Sequence, residues 1–172
     1  MNPFDYSFFQ RLNGFAGASA IADAIIIFCA TYLIFFLVGG TLVMVWRTRH
    51  YERVLRVLHI LGSMALGKAL VFGSHFLYNR PRPFDMFDLP NQLLYHSAGN
   101  AFPSGHATVA FAIATAVFLW NRTWGSVLYA AALVIGISRI IGGVHWPTDI
   151  LAGALVGAWS AWMIYAILWR KR

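Results

Sequence analysis

Long apolar segments constrain this chain more than any other feature of its sequence. Residues 20–46 carry one charged side chain, Asp23. Further mostly apolar segments follow at residues 54–78, 104–120, 126–143 and 149–169. A helix needs about 20 mostly apolar residues to cross the hydrocarbon region of a bilayer. We therefore expect an all-α, polytopic bundle with five spanning helices at these positions.

The composition agrees with burial in a membrane. Hydrophobic residues make up 59% of the 172 residues and charged residues 11%, whereas soluble domains carry about 25% charged residues. Residues 4–19 are aromatic but are interrupted by Asn13, Gly14 and Gly17, which favours an interfacial or partly inserted helix. We predict one membrane-embedded domain over residues 1–172, and the sequence does not indicate an oligomeric state.

The basic residues predict the orientation of the chain and its contacts. The net charge of +7 would indicate nucleic-acid binding in a soluble protein. Here the basic residues lie mainly beside apolar segments, where topology and lipid headgroups account for them. We therefore expect contacts with membrane lipids and no nucleic acid. Helix parity places the basic residues of 47–53, 122 and 170–172 on one side, which should be the cytoplasm, so the connections 79–103 and 143–148 should lie outside.

A set of polar residues collects in or beside the outer connections: Arg80, Arg82, Ser104, His106, Arg139, His145 and Asp149. Ionisable groups at membrane depth are costly, so their default interpretation is functional. Each residue alone could be structural, with a satisfied partner. Seven that converge on one face indicate a site.

Pro103-Ser104-Gly105-His106 opens the third predicted span. Ser104 can cap the helix and Gly105 allows a ligand to approach the backbone. The free N–H groups at this helix end then suit an anion such as phosphate. His106 adds a titratable group beside that anion site, which an ordinary cap would not need.

His145 and Asp149 are four residues apart, so their side chains can meet at the start of the fifth predicted span. A carboxylate that accepts from one imidazole nitrogen leaves the other as a nucleophile. The alternative is a chance pair at an exposed helix cap.

Arginines supply the third element of the pattern. Arg80 and Arg82 oppose the predicted orientation if basic residues are merely counted, so they need another role. Guanidinium forks match phosphate oxygens, and the prolines at 81 and 83 keep this segment extended, which would hold an arginine in position. The alternative interpretation is that the segment is a stiff basic loop that contacts lipid headgroups.

A buried Arg139 needs an anionic partner, which could be Asp149, although a substrate phosphate suits the surrounding groups better.

These residues resemble the motifs of the type 2 phosphatidic acid phosphatase superfamily. The Pro-Ser-Gly-His motif is complete at residues 103–106, and a second is complete as Ser138, Arg139, His145 and Asp149. A further motif is present as Arg82-Pro83, but His75 stands where the family has lysine. The chain is similar in particular to bacitracin-resistance-type undecaprenyl pyrophosphate phosphatases, in which a Pro-Arg-Pro-Phe segment occurs without that lysine. A protonated His75 could replace the lysine, whereas Lys68, about 10 Å further back along a helix, is expected to be a poor substitute.

The resemblance implies a role for each motif residue. His145 attacks phosphorus and becomes a phosphohistidine, Asp149 orients it, and His106 protonates the leaving oxygen and then activates water. The phosphate oxygens are held by Arg82, Ser104, the Gly105 backbone and Arg139. The resemblance implies no metal and no other cofactor.

We therefore expect a multi-pass lipid phosphatase of the bacterial inner membrane whose active site faces the periplasm or the outside. Its expected reaction converts undecaprenyl pyrophosphate to undecaprenyl phosphate, and the alternative substrate is phosphatidic acid or phosphatidylglycerophosphate. Two other classes stay open. One is a metal-dependent enzyme using Asp85, Asp88 and His96, and the other is a carrier or flippase whose buried charges serve transport.

Overall fold

The computed structural model of the protein describes residues 3–87, 89, 92–95 and 99–170. The regular structure of these residues is helical, which confirms the all-α expectation. In chain order the helices are α1 (Pro3–Asn13), α2 (Ala20–Thr31), α3 (Leu33–Trp46), α4 (His50–Leu77), α5 (Pro83–Met86), α6 (Gly105–Trp120), α7 (Arg122–Ile141) and α8 (Pro147–Trp169).

Several of these helices are suited to cross a membrane. Within the described residues, α4, α7 and α8 are long and apolar enough to span, and α2 with α3 makes a fourth span if the bent pair is counted as one. Helix α6 is apolar but has 16 residues, which is about 24 Å of helix. Helix α1 has 11 residues, too few to cross a hydrocarbon region about 30 Å thick.

The predicted first span is broken rather than continuous. Helices α2 and α3 meet at Tyr32 and are bent by 49° relative to each other. At this bend the carbonyl of Ala30 accepts a hydrogen bond of 3.3 Å from Nη1 of Arg139 in α7. A side chain that inserts into the backbone hydrogen-bond ladder is a recognised cause of a helix kink. The kink therefore coincides with a contact from a residue 109 positions away, which the local pattern of residues 20–46 does not contain.

Helix α6 forms the centre of the bundle and packs closely against α8. Its residues from Ala107 to Val117 are almost all buried. A Cβ atom added to Gly157 of α8 would lie 2.2 Å from the Thr108 carbonyl oxygen, and one on Gly153 would lie 2.6 Å from that of Ser104. Small residues allow membrane helices to approach in this way. The close contact brings the first turns of α6 and α8 together, and the Ser104 N–H donates to the Asp149 carbonyl at 3.0 Å.

Helix α1 packs on the last turn of α7 and the first turn of α8. The ring of Phe9 is buried, with its centroid 5.2 Å from that of Trp146. Nδ2 of Asn13 donates to the Ile141 carbonyl at the end of α7, at 2.7 Å. The N-terminal segment, predicted as interfacial or partly inserted, thus contains a helix that covers the end of the bundle where the candidate residues lie.

Candidate active site

The seven residues to which the resemblance assigns a role come from three separate stretches of the chain and lie at or behind one cavity of about 330 Å³. Five of them line it: Arg82, Gly105, His106, Arg139 and His145. Ser104 and Asp149 are fully buried behind this wall. The residues predicted from the sequence motifs are therefore ones that the fold brings together.

His145 lies in the short connection between α7 and α8. The connection turns at Gly143, whose φ of 87° is a left-handed conformation that favours glycine. Nδ1 of His145 lies 3.5 Å from Oδ2 of Asp149, an oxygen that also accepts the Trp146 N–H at 2.8 Å. With Nδ1 facing the carboxylate, Nε2 is the nitrogen beside Arg82, whose Nη1 is 3.5 Å away. The expected His145–Asp149 pair is thus present, with Nε2 at the cavity.

Arg82 lies at the N-cap of the short helix α5 and is 7% exposed. Its Nη1 donates to the Val144 carbonyl at 3.0 Å, and its Nη2 to the Asn100 carbonyl at 3.2 Å. Burial lowers the pKa of the Arg82 guanidinium, and the carboxylates of Asp149 and Asp85 oppose that shift. Because arginine keeps its proton far above neutral pH, Arg82 presents a fixed positive charge to the cavity.

Arg139 belongs to the last turn of α7 and is 4% exposed. Its described hydrogen bond goes to the Ala30 carbonyl. Within the described residues, the Nε atoms of Arg82 and Arg139 are both buried without a hydrogen-bond partner. Buried donors normally have partners, and phosphate oxygens suit guanidinium donors. The two arginines therefore leave donors available for an anion in the cavity.

The N-terminus of α6 forms another part of the wall. The Ser104 hydroxyl accepts from the Ala107 N–H at 3.5 Å, so Ser104 is the expected N-cap. Gly105 and His106 follow at the cavity surface. This places backbone N–H groups of the first turn and an imidazole beside the two arginines, as an oxyanion site needs.

Helix α4 contributes Lys68 and His75, which both line the cavity because seven residues are nearly two full turns. Nζ of Lys68 lies 3.3 Å from the position that a Cβ atom would occupy on Gly105. The expectation that Lys68 is too distant was wrong, because rise along the helix ignores the length of the side chain. Nε2 of His75 is buried without a hydrogen-bond partner among the described residues.

Arg80 does not line this cavity. It forms ion pairs with Asp149 at 2.6 Å and with Asp5 of α1 at 2.5 Å. Asp5 is 1% exposed and was missed from the sequence. A carboxylate within an aromatic N-terminal segment was a usable signal, since a buried charge needs a partner.

The residues proposed for a metal site are only partly described. Asp85 caps α5, where its Oδ2 accepts the Arg82 N–H at 3.2 Å. Asp88 and His96 lie outside the described residues. Within the described part of the chain, no group of three His, Cys, Asp or Glu side chains is placed to hold a metal ion.

Comparisons with known proteins identify the family. Residues 56–172 match the PAP2 superfamily. The chain is 33% identical to the bacitracin transport permease protein BcrC of Bacillus licheniformis, over 91% of this chain and 77% of that protein. It is 30% identical to the undecaprenyl-diphosphatase BcrC of Bacillus subtilis, over 88% of this chain and 78% of that protein. It is also 39% identical to a lipid A 1-phosphatase of Porphyromonas gingivalis, over 57% of this chain and 21% of that protein.

A solved structure supports the same fold. The crystal structure of Aquifex aeolicus LpxE superposes with a TM-score of 0.80 at 24% identity, covering 95% of this chain and 96% of that one. The family expected from the motifs is thus confirmed by sequence, and the helical architecture by structure. The chain belongs to the PAP2 superfamily and is an integral-membrane phosphatase.

Proposed function

We propose that this protein hydrolyses undecaprenyl pyrophosphate to undecaprenyl phosphate through a phosphohistidine at His145. One observation carries the proposal. Nε2 of His145 lies 3.5 Å from Arg82 at a cavity where two buried arginines have unpartnered Nε donors within the described residues. The relatives named for bacitracin and for undecaprenyl diphosphate, matched over more than three quarters of their length, support the choice of lipid.

The first step is transfer of the terminal phosphoryl group to the enzyme. Nε2 of His145 attacks phosphorus, and the bond from phosphorus to the bridging oxygen breaks. His106 gives its proton to that oxygen, so the lipid monophosphate leaves. Asp149 holds Nδ1–H and stabilises the imidazolium that forms.

The second step returns the enzyme to its starting state. His106, now neutral, takes a proton from a water molecule whose oxygen attacks the phosphohistidine. The phosphorus–nitrogen bond breaks, inorganic phosphate leaves, and His145 regains its lone pair. Both steps proceed in line and gain most from preorganised positive groups, as phosphoryl transfer generally does.

Fixed charge at the cavity favours such a substrate. Lys68, Arg82 and Arg139 line it, and the described lining residues include no Asp or Glu. In this proposal Arg82, Arg139 and the Gly105 N–H hold the terminal phosphate. Ser104 shapes the turn as its cap, and Lys68 takes the part of the lysine that His75 replaces in the motif.

We further propose five spans, formed by α2 with α3, α4, α6, α7 and α8. Their parity puts the basic residues of 47–53, 122 and 170 on one side, which the positive-inside rule assigns to the cytoplasm. The active site then faces the periplasmic side of a bacterial inner membrane.

A single cysteine placed at Tyr95, which is 95% exposed, in a Cys29→Ser background should react with an impermeant thiol reagent in intact cells. A cysteine at Arg49 should not; the reverse pattern would overturn this orientation.

The substrate is tested on purified protein. Release of inorganic phosphate is measured from undecaprenyl pyrophosphate, phosphatidic acid and phosphatidylglycerophosphate at matched concentrations. We expect the highest kcat/KM for undecaprenyl pyrophosphate and a transient acid-labile phosphoenzyme with labelled substrate. Preference for either glycerolipid would overturn the proposed lipid, and absence of phosphate release from all three would favour a carrier.

A further inference from the structure

A buried carboxylate in α1 contacts the N-terminus of α8 from outside the segment that matches the superfamily. Asp5 is 1% exposed and precedes the matched residues 56–172. Its Oδ1 accepts the Thr148 N–H at 2.9 Å, and its Oδ2 accepts the Thr148 hydroxyl at 2.6 Å. Asp5 thus satisfies a free N–H at the start of α8, which Thr148, as an early helix residue, cannot pair within its own helix.

Arg80 connects Asp5 to the carboxylate behind the proposed nucleophile. Its Nη2 donates to Asp5 at 2.5 Å and its Nη1 to Oδ1 of Asp149 at 2.6 Å. The other oxygen of Asp149 is the one that lies 3.5 Å from Nδ1 of His145. The contacts therefore form a continuous path from Asp5 through Arg80 and Asp149 to His145.

The path places two carboxylates, Asp5 and Asp149, on one guanidinium group, that of Arg80. With both carboxylates ionised, Asp5, Arg80 and Asp149 would together carry one net negative charge, which would stabilise the ring of His145 as it becomes positive during attack. Without the Asp5 carboxylate, Arg80 and Asp149 would neutralise each other. Arg80 would also lose one side of its fork, so the orientation of Asp149 would be held less firmly.

We propose that Asp5 is a positioning residue of the active site, which acts through Arg80 to orient and polarise the Asp149–His145 pair. The N-terminal helix is then part of the catalytic apparatus rather than only a membrane anchor. This inference rests on the proposed function, because its effect is expected in the phosphoryl-transfer step.

The test compares Asp5→Asn, Asp5→Glu and Asp23→Asn with the unaltered full-length protein. Asp23 is a matched control, because it also lies in the first turn of a helix and its carboxylate also accepts a backbone N–H, that of Gly17 at 2.9 Å. For each variant, kcat and KM are measured on undecaprenyl pyrophosphate, or on phosphatidic acid if that lipid is turned over faster. Inhibition by inorganic vanadate reports phosphate-site binding separately.

We expect Asp5→Asn to lower kcat by about tenfold or more, as a small misplacement of reacting groups does. KM and the vanadate inhibition constant should stay within about twofold, because Arg82 and Arg139 are held by other contacts. Asp5→Glu should recover part of the lost kcat, and Asp23→Asn should behave like the unaltered protein.

Two outcomes would overturn the inference. One is an unchanged kcat in Asp5→Asn. The other is a parallel loss of kcat and vanadate binding that Asp5→Glu does not relieve, which would indicate a general structural defect. Failure of the proposed function is recognised independently, since His145→Ala would then retain turnover.

Discussion

Two buried histidine clusters lie at opposite ends of the same helix bundle, and they differ in how completely their polar atoms are paired. His59 of α4 is 0% exposed and lies near the end where α4 begins and α8 finishes. His145 is 3% exposed and lies at the end where α8 begins. Burial alone therefore does not distinguish a structural histidine from one that we propose to be reactive.

Both ring nitrogens of His59 have partners. Nε1–H of Trp120 donates to Nδ1 at 3.0 Å, and Nε2 lies 2.8 Å from the Ala161 carbonyl. One neutral tautomer, with its proton on Nε2, satisfies both contacts. The rings of Trp120, Tyr165 and Trp169 surround the imidazole at centroid distances of 5.3, 5.7 and 5.4 Å. This cluster connects α4, α6 and α8 and leaves no need for a ligand.

The cavity beside His145 is lined by side chains that, among the described residues, include buried nitrogen atoms without partners. Among the described residues, Nε of Arg82, Nε of Arg139 and Nε2 of His75 are buried without hydrogen-bond partners, and their side chains line one cavity. A buried Nε is also left on Arg53, so one such atom is not diagnostic. Two of these atoms are guanidinium donors on one cavity, which supports the proposal of an anionic substrate there, because unsatisfied buried donors are otherwise rare.

The strongest test of the difference between the two histidine clusters is His145→Ala. We expect phosphate release to fall by at least about 10³-fold, because loss of a nucleophile removes the covalent route. Monodisperse elution and an unchanged melting transition would show that the protein stays folded. Turnover within tenfold of the unaltered protein would remove His145 from the reaction.

Arg82→Lys tests the unpartnered donors directly. The variant keeps the positive charge but loses the planar fork and the Nε donor, so we expect kcat/KM to fall by about 10²-fold. Arg11→Lys, an exposed position in α1, is the matched control and should have no effect. An equal loss of kcat/KM in Arg82→Lys and Arg11→Lys would mean that the planar guanidinium group of Arg82 has no special role.

Much of the fold followed from the sequence because its determinants are local. Each predicted apolar segment corresponds to a helix or to the bent pair α2–α3, with ends shifted by a few residues where caps and prolines act. The kink at Tyr32 was not predictable, since it involves Arg139 of another helix. Contacts between distant segments have no signature in the local pattern.

The proximity of the candidate site residues was predictable from the sequence to the same extent. Residues 103–106 and the His145–Asp149 pair were identifiable because each lies within one turn at a helix end. The partner of Arg80 was not identified, because Asp5 lies 75 positions away. The position of Lys68 was misjudged, because its place at Gly105 depends on side-chain reach and helix packing.

Lys68→Met tests whether the ammonium group at the cavity binds the substrate. Removing this ammonium group should raise KM for a lipid pyrophosphate by about tenfold with a smaller change in kcat, because it is expected to bind phosphate equally before and during reaction. Lys68→Arg should keep most of the affinity. An unchanged KM in the methionine variant would exclude Lys68 from substrate binding.

The smallest effect on activity is expected at the paired histidine. His59→Phe keeps an aromatic ring of similar size but leaves the Trp120 N–H without its acceptor, which costs about 1–3 kcal/mol. The melting temperature should therefore fall by several degrees while kcat/KM stays within about twofold. If the variant lost turnover at an unchanged melting temperature, complete pairing of a buried histidine would not mark it as structural. The inference drawn from the unpaired donors at the other end would then lose its basis as well, since both rest on the same rule about buried polar groups.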